Sequence, residues 1–179
     1  MLSRAHHLPI AIALVLTVTG CAGATSPRTT ALGDGAPAST GRVVAVIDGD
    51  TVDVRLGDET ERVRLLGIDT PETVAPDRPV ECFGPEASAR TGELLAPGTE
   101  VAVRRDVEPR DRYGRLLAYL WRVDDGTFVN LALVAEGFAE PLSIAPNHAH
   151  RADLAAAASR ARASGTGRWG TCPSEGTQR

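Results

Sequence analysis

The chain has 179 residues, is 42% hydrophobic and carries a formal net charge of −4. That length and apolar content suit one globular domain plus tails. The negative balance excludes a protein that coats nucleic acid through bulk charge, while leaving room for a locally basic cleft.

The first residues carry Arg4, and Ile10 to Val18 form an apolar run far too short to span a bilayer. A positive start, a short apolar centre and the small residues Thr19-Gly20 describe a secretory signal peptide over residues 1–20. Val18-Thr19-Gly20-Cys21 resembles a bacterial lipobox, which predicts cleavage before Cys21 and lipidation of its sulfur. The alternative is an ordinary signal in which Cys21 is incidental. On the lipobox reading the mature protein is extracytoplasmic and anchored in the cell membrane through its first residue. Residues 21–40, rich in Ala, Ser, Thr, Gly and Pro, read as a flexible tether with a reach on the order of 25 Å. The folded domain is expected over 41–172, with a tail at 173–179.

Val43 to Glu72 carries the strongest pattern. Val52, Val54 and Leu56 alternate with Asp53 and Arg55, the period-2 signature of a strand with one buried face. Val63 and Leu65 flank Arg64, so Arg64 is expected on the opposite face. Asp48-Gly49-Asp50 breaks the first apolar run and Asp69-Thr70-Pro71-Glu72 ends the last. Residues 74–80, with Pro76 and Pro79, read as loop. Gly84-Pro85-Glu86 opens a helix that Pro97-Gly98 stops. Val101 and Val103 mark a fourth strand, and residues 116–121 a fifth, buried on both faces. The polar stretch 107–115 between them reads as a hairpin loop. A second helix is expected with Asn130 as its N-cap and Gly137 as its terminator, and a third from Asn147 to about Gly165. Trp169 is expected to pack the tail back on the body. This order predicts an α+β domain, five strands closing a small barrel with three helices.

With Cys21 assigned to lipid, Cys82 and Cys172 remain, and an exported pair is expected to oxidise. Closing so long a loop would contribute roughly 4–5 kcal/mol in the chain-entropy model. The alternative is two unpaired thiols, which the Cα separation decides.

Chemically, Asp50 and Asp69 are hard oxygen ligands on different strands. With one main-chain carbonyl and waters they suffice for a weak Ca²⁺ or Mg²⁺ site, although Asp-Gly is also a common hairpin turn. Glu72, held near such a metal, could orient or deprotonate a water. Arg64 and Arg115 are candidates for a phosphate clamp. Arg104, Arg105, Arg110 and Arg112 offer a basic rim, diluted by Asp106, Glu108 and Asp111, so a solvated loop is an equal reading. His148 and His150, two apart at a helix start, are expected to be exposed and non-functional.

IDGDTV, RLLGIDTPE, FGPEA and DRYGRLLAY, in this order and at these intervals, resemble the staphylococcal nuclease (thermonuclease) family from about Gly41 to Trp169. The resemblance implies an OB-fold barrel and a Ca²⁺-dependent nuclease, a metal-dependent phosphodiesterase acting on single-stranded DNA or RNA. It implies that Asp50, Asp69 and the Thr70 carbonyl hold Ca²⁺, with Asp48 just outside the ligands. Arg64 and Arg115 would hold the scissile phosphate, and Glu72 would activate the attacking water. Tyr113 and Arg112 would contact substrate, and Asp111 would brace their loop. The products would carry 3′-phosphates, and the protein is expected to act as a monomer. One departure stands out: where the type protein has two tyrosines before its Pro-Asn segment, this chain has Leu142 and Ile144, so weaker base stacking is expected. Two other readings of the same residues stay open: a non-catalytic OB binding module, and a calcium-stiffened interaction domain.

Overall fold

The computed structural model describes residues 38–73 and 79–173. The signal segment, Cys21, most of the tether, part of the 74–80 loop and nearly all of the tail lie outside the described residues.

Five strands close the barrel. They are β1 (Ser39–Val46), β2 (Thr51–Leu56), β3 (Glu59–Leu65), β5 (Glu100–Arg104) and β6 (Leu116–Arg122), in the closed order β1-β2-β3-β6-β5. β1 begins at Ser39, so the ordered domain takes in two residues assigned above to the tether. Every neighbouring pair is antiparallel except β3 and β6, which run parallel with Val63 beside Leu116 and Arg64 beside Leu117. The period-2 pattern holds: Val52, Val54, Val63, Leu65, Val101 and Val103 all point into the barrel and are buried. Arg64 lies between two of them and faces outward. β6 is buried on both faces, as the unbroken apolar run predicted. Its inward residues fill the barrel, and Tyr119 and Trp121 seed a separate aromatic cluster.

Short β4 (Ile68–Asp69) pairs antiparallel with β7 (Glu140–Pro141), a two-residue ladder that no sequence pattern announced. Helix α1 (Gly84–Leu94) starts with proline in its first turn. Helix α2 (Val129–Ala135) ends before Gly137, whose φ of 76° gives the left-handed exit glycine tolerates. Helix α3 (Arg151–Ser164) buries Leu154, Ala157, Ala158 and Ala161, a stripe of mostly small residues at helical spacing packed against the core. A four-residue helical turn, α4 (Arg168–Thr171), follows. The Arg162 guanidinium lies 4.3 Å over the Trp169 ring, so Trp169 packs that turn against α3. Cys82 and Cys172 form a disulfide with their Cα atoms 6.0 Å apart. None of the described helices is long and apolar enough to cross a membrane.

Three local expectations are corrected. First, Asn130 is not a cap: α2 starts one residue earlier, at Val129, and Asn130 is fully buried. Its Oδ1 accepts the Leu120 N–H at 3.0 Å and its Nδ2 donates to the Leu66 carbonyl at 2.8 Å. It stitches α2 to β6 and to the turn after β3. Asn130→Ala strands a buried N–H and a buried C=O and should cost about 2–4 kcal/mol, read as a lower urea midpoint with unchanged slope.

Second, α3 starts at Arg151 and not at Asn147. The Asn147 side chain is buried, accepting from Glu108 N and donating to Glu108 O, and so pins the β5–β6 loop.

Third, His150 is not exposed. Its ring lies 4.6 Å from that of Tyr119, 4.8 Å from Phe128 and 5.5 Å from Trp121. Burial pushes its imidazole below the usual value, opposed by Asp153 and Asp106 and assisted by Arg104. Between that lowered value and the ordinary one, the unfolded chain binds more protons, so stability falls as pH drops through this window. His150→Phe should therefore lose less melting temperature than the parent between pH 7.5 and 5.5. Equal acid losses in the two proteins would contradict this.

Candidate active site

The site forms at one end of the barrel, where β2 begins, β3 ends and β4 follows. The Asp48-Gly49-Asp50 segment is a hairpin turn that also carries two carboxylates. Asp48 Oδ1 accepts the Asp50 N–H at 3.0 Å, closing the turn. Asp50 then points inward. A Cβ on Gly49 would lie 2.5 Å from Thr70 Oγ1, so glycine permits the approach of Thr70. The Thr70 N–H and hydroxyl both donate to Asp50 Oδ2, at 3.1 and 3.2 Å. From behind, Thr91 of α1 donates its hydroxyl to the Gly49 carbonyl at 2.7 Å.

Arg64 is heavily restrained. Its Nη1 donates to the carbonyls of Leu65 and Ile68, at 2.9 and 2.8 Å. Its Nη2 lies 3.0 Å from Asp50 Oδ2 and 2.8 Å from Asp69 Oδ1. One cationic nitrogen thus bridges the two carboxylates predicted to bind metal. Burial pushes the Asp50 carboxyl up to about 6; Arg64 and the Thr70 N–H oppose this, while Asp48 and Asp69 reinforce it. A buried carboxylate crowded by two others is a group whose charged form gains from a cation. Among the described residues no cluster of three or more His, Cys, Asp or Glu side chains could hold a metal. Asp50 and Asp69 offer hard carboxylate oxygens, which together with main-chain oxygen and water would suit Ca²⁺ better than a transition metal.

Arg115 enters from the β5–β6 loop, just before β6. Asp111 Oδ1 accepts the N–H groups of Tyr113 and Arg115, and its Oδ2 accepts Arg115 Nε at 2.7 Å. Tyr113 stands exposed, its hydroxyl accepting from Arg112 Nη2 at 2.6 Å while the Arg112 guanidinium lies 4.7 Å over its ring. Arg64, Asp111, Arg112, Tyr113 and Arg115 line one open pocket of about 530 Å³, which Leu142, Ile144 and Asn147 also line. The structure thus brings both arginines, the tyrosine and the aliphatic pair to one cavity.

Glu72 is not part of that lining. It lies beyond Asp69 on the loop leaving β4, where its Oε1 accepts the Thr73 N–H at 2.9 Å. Its main chain is paired with Glu81. Nor is the basic rim assembled as a unit. Arg104 lies over the Trp121 ring and Arg110 forks onto Glu61, and of the four arginines Arg112 lines the pocket while Arg104, Arg105 and Arg110 do not. Asn147, Thr91 and Glu81 support the site without having been singled out. Asn147 and Thr91 act through long-range hydrogen bonds and Glu81 through one nine residues along the chain, none with a local sequence signature.

The family model described as "Staphylococcal nuclease homologue" matches residues 62–171. The match begins within β3, so Asp48 and Asp50 precede it. The chain is 44% identical over 109 residues to "Thermonuclease" of Staphylococcus intermedius, covering 61% of this chain and 63% of that protein. It is 39% identical over 110 residues to "Thermonuclease" of Staphylococcus hyicus, with 62% and 63% covered. It is 42% identical over 93 residues to "Endonuclease YncB" of Bacillus subtilis (strain 168), with 52% and 43% covered. The chain thus spans less than two thirds of the length of these relatives. With the matching region running from β3 through the pocket and all the helices, the chain belongs to the staphylococcal nuclease homologue family.

Proposed function

We propose that this protein is a Ca²⁺-dependent nuclease that hydrolyses phosphodiester bonds of single-stranded DNA or RNA to 3′-phosphate products. The observation that carries the reading is the convergence of Arg64 and Arg115 on one open pocket, with Arg64 also touching the Asp50–Asp69 pair. Two guanidinium groups facing one cavity suit a phosphodiester, whose transition state spreads negative charge over oxygens.

Asp50, Asp69 and the Thr70 carbonyl would hold the metal. When bound, Ca²⁺ would supply a positive charge that helps neutralise the phosphate. The chain's own residues would do the rest. Glu72 would take a proton from the water as its oxygen bonds to phosphorus, and the P–O5′ bond would break, the departing O5′ taking a proton from solvent to give a 5′-hydroxyl. Arg64 and Arg115 would hold the phosphate oxygens as charge builds. Tyr113 and Arg112 would fix the neighbouring phosphate at the pocket rim, and Asp111 would keep their loop in shape.

Leu142 and Ile144 offer aliphatic contact where aromatic faces would stack on a base, so affinity for single strands should be modest. Leu142→Tyr with Ile144→Tyr should lower KM for single-stranded DNA by about tenfold, the equivalent of one stacked base, with little change in kcat. An unchanged KM would show that this wall does not meet the base.

The Cys82–Cys172 disulfide supports an oxidising compartment, and the lipobox at Cys21 supports membrane anchoring outside the cytoplasm. Mass spectrometry of the mature protein would test the anchor by detecting, or failing to detect, an acylated Cys21 N-terminus. Activity itself is tested by incubating the protein with single-stranded DNA in Ca²⁺ and in a chelator. Calcium-dependent products with 3′-phosphate ends are expected. Binding without cleavage by folded protein would leave a non-catalytic OB module.

A further inference from the structure

Both main-chain polar groups of Glu72 are held from outside the pocket by Glu81. The Glu72 N–H donates to Glu81 Oε2 at 3.1 Å, and the Glu72 carbonyl accepts the Glu81 N–H at 2.9 Å. Both main-chain groups of Glu72 therefore end on Glu81. Glu81 is itself anchored. Its carbonyl accepts the Gly84 N–H at 3.0 Å, and its neighbour Cys82 is bonded to Cys172 just past α4. Gly84, the first residue of α1, packs directly on the Glu72 segment. A Cβ there would lie 2.9 Å from the Glu72 carbonyl oxygen and 2.7 Å from Thr73 Cγ2. The same helix holds the Asp50 turn through Thr91. Helix α1 is thus a common frame for the acid that binds metal and the acid that handles water.

We propose that Glu81 is a positioning residue for Glu72: its carboxylate and main chain set where Glu72 stands, and the Cys82–Cys172 bridge fixes Glu81 in turn. This rests on the reading of Glu72 as the group that activates water. Glu81 touches no reacting atom in this role. What matters is an oxygen acceptor at the right place, and the negative charge is secondary.

The test compares kcat and KM for single-stranded DNA in saturating Ca²⁺ for the parent, Glu81→Ala, Glu81→Gln, Glu72→Gln and the Glu81→Ala/Glu72→Gln double variant. A misplaced general base costs about tenfold to a hundredfold in rate. Glu81→Ala should show that loss in kcat, with KM, calcium affinity and melting temperature near the parent's. Glu81→Gln keeps an amide oxygen that can accept the Glu72 N–H, and its kcat should stay within about threefold of the parent's, the cost of a neutral acceptor for a charged one. In the Glu72→Gln background, Glu81→Ala should cost nothing further, since residues acting through one group are not additive.

Glu72→Gln that is inactive beside Glu81→Ala of parental kcat would overturn the positioning role alone. Glu81→Gln as damaged as Glu81→Ala would show that charge, not geometry, is at work and would likewise overturn it. Glu72→Gln of parental kcat would sink the water-activating reading and this proposal with it.

Discussion

Arg115→Ala should lower kcat by about 10³-fold or more, the scale on which a guanidinium stabilises phosphoryl-transfer charge, while leaving the folded protein's stability nearly unchanged. The reason lies in how Arg115 is held. Among the described residues its acidic partner is Asp111, at 2.7 Å within the same loop, and nearly a third of its side chain is open to solvent. Removing the head group leaves Asp111 still accepting two main-chain N–H groups. Arg64→Ala should cost comparable activity but also stability. Its guanidinium is mostly buried and satisfies two carbonyls and two carboxylates, including buried Asp50. Stripping a buried carboxylate of its partner costs about 3 kcal/mol. Calcium should restore part of that loss for Arg64→Ala, because the metal would repartner the same acids. Urea titrations with and without Ca²⁺, beside steady-state rates, separate the two arginines. Equal stability losses in both variants would contradict the assignment.

Asp50→Asn should abolish the calcium response, with metal affinity falling by at least about 10²-fold, because a site with so few charged ligands has none to spare. The fold should survive. An asparagine oxygen can still accept the Thr70 N–H and hydroxyl, and the substitution removes a carboxylate that burial and its acidic neighbours already disfavour. In the parent, millimolar Ca²⁺ should raise the melting temperature by mass action. In Asp50→Asn that rise should vanish while the melting temperature in chelator changes little. A calcium-dependent rise that persists in the variant would place the metal elsewhere.

What could be read from the sequence divides along physical lines. Strands β1 to β3 and β6 carry alternation or an unbroken apolar run, and the burial of a period-2 face is a local consequence of the pleat. That was enough to infer the barrel and to put Arg64 on the outer face. The residues brought to the cavity, Arg64, Tyr113 and Arg115, lie in short motifs whose order survives as spacing. Other features depend on partners far away in the chain. Asn130, a polar residue near the start of an apolar helix, looks like a cap; its actual partners are on β6 and in the β3–β4 turn. A two-residue strand such as β4 is too short for any periodicity, and Pro141 disguises its mate. The onset of α3 was placed too early because Asn147 has the chemistry of a cap yet spends it on Glu108. His150 looked exposed because nothing local reveals the aromatic side chains it meets from β6 and the start of α2. Glu81 was silent for the same reason: its pairing with Glu72 spans a loop.

The most direct test of the account is single-stranded DNA cleavage by the protein in Ca²⁺ and in EGTA, beside a Glu72→Gln/Arg115→Ala variant. Calcium-dependent cleavage to 3′-phosphate ends, lost in a variant that still folds and binds calcium, is the predicted result. No cleavage by a folded, calcium-binding parent, or full cleavage by the variant, would contradict it.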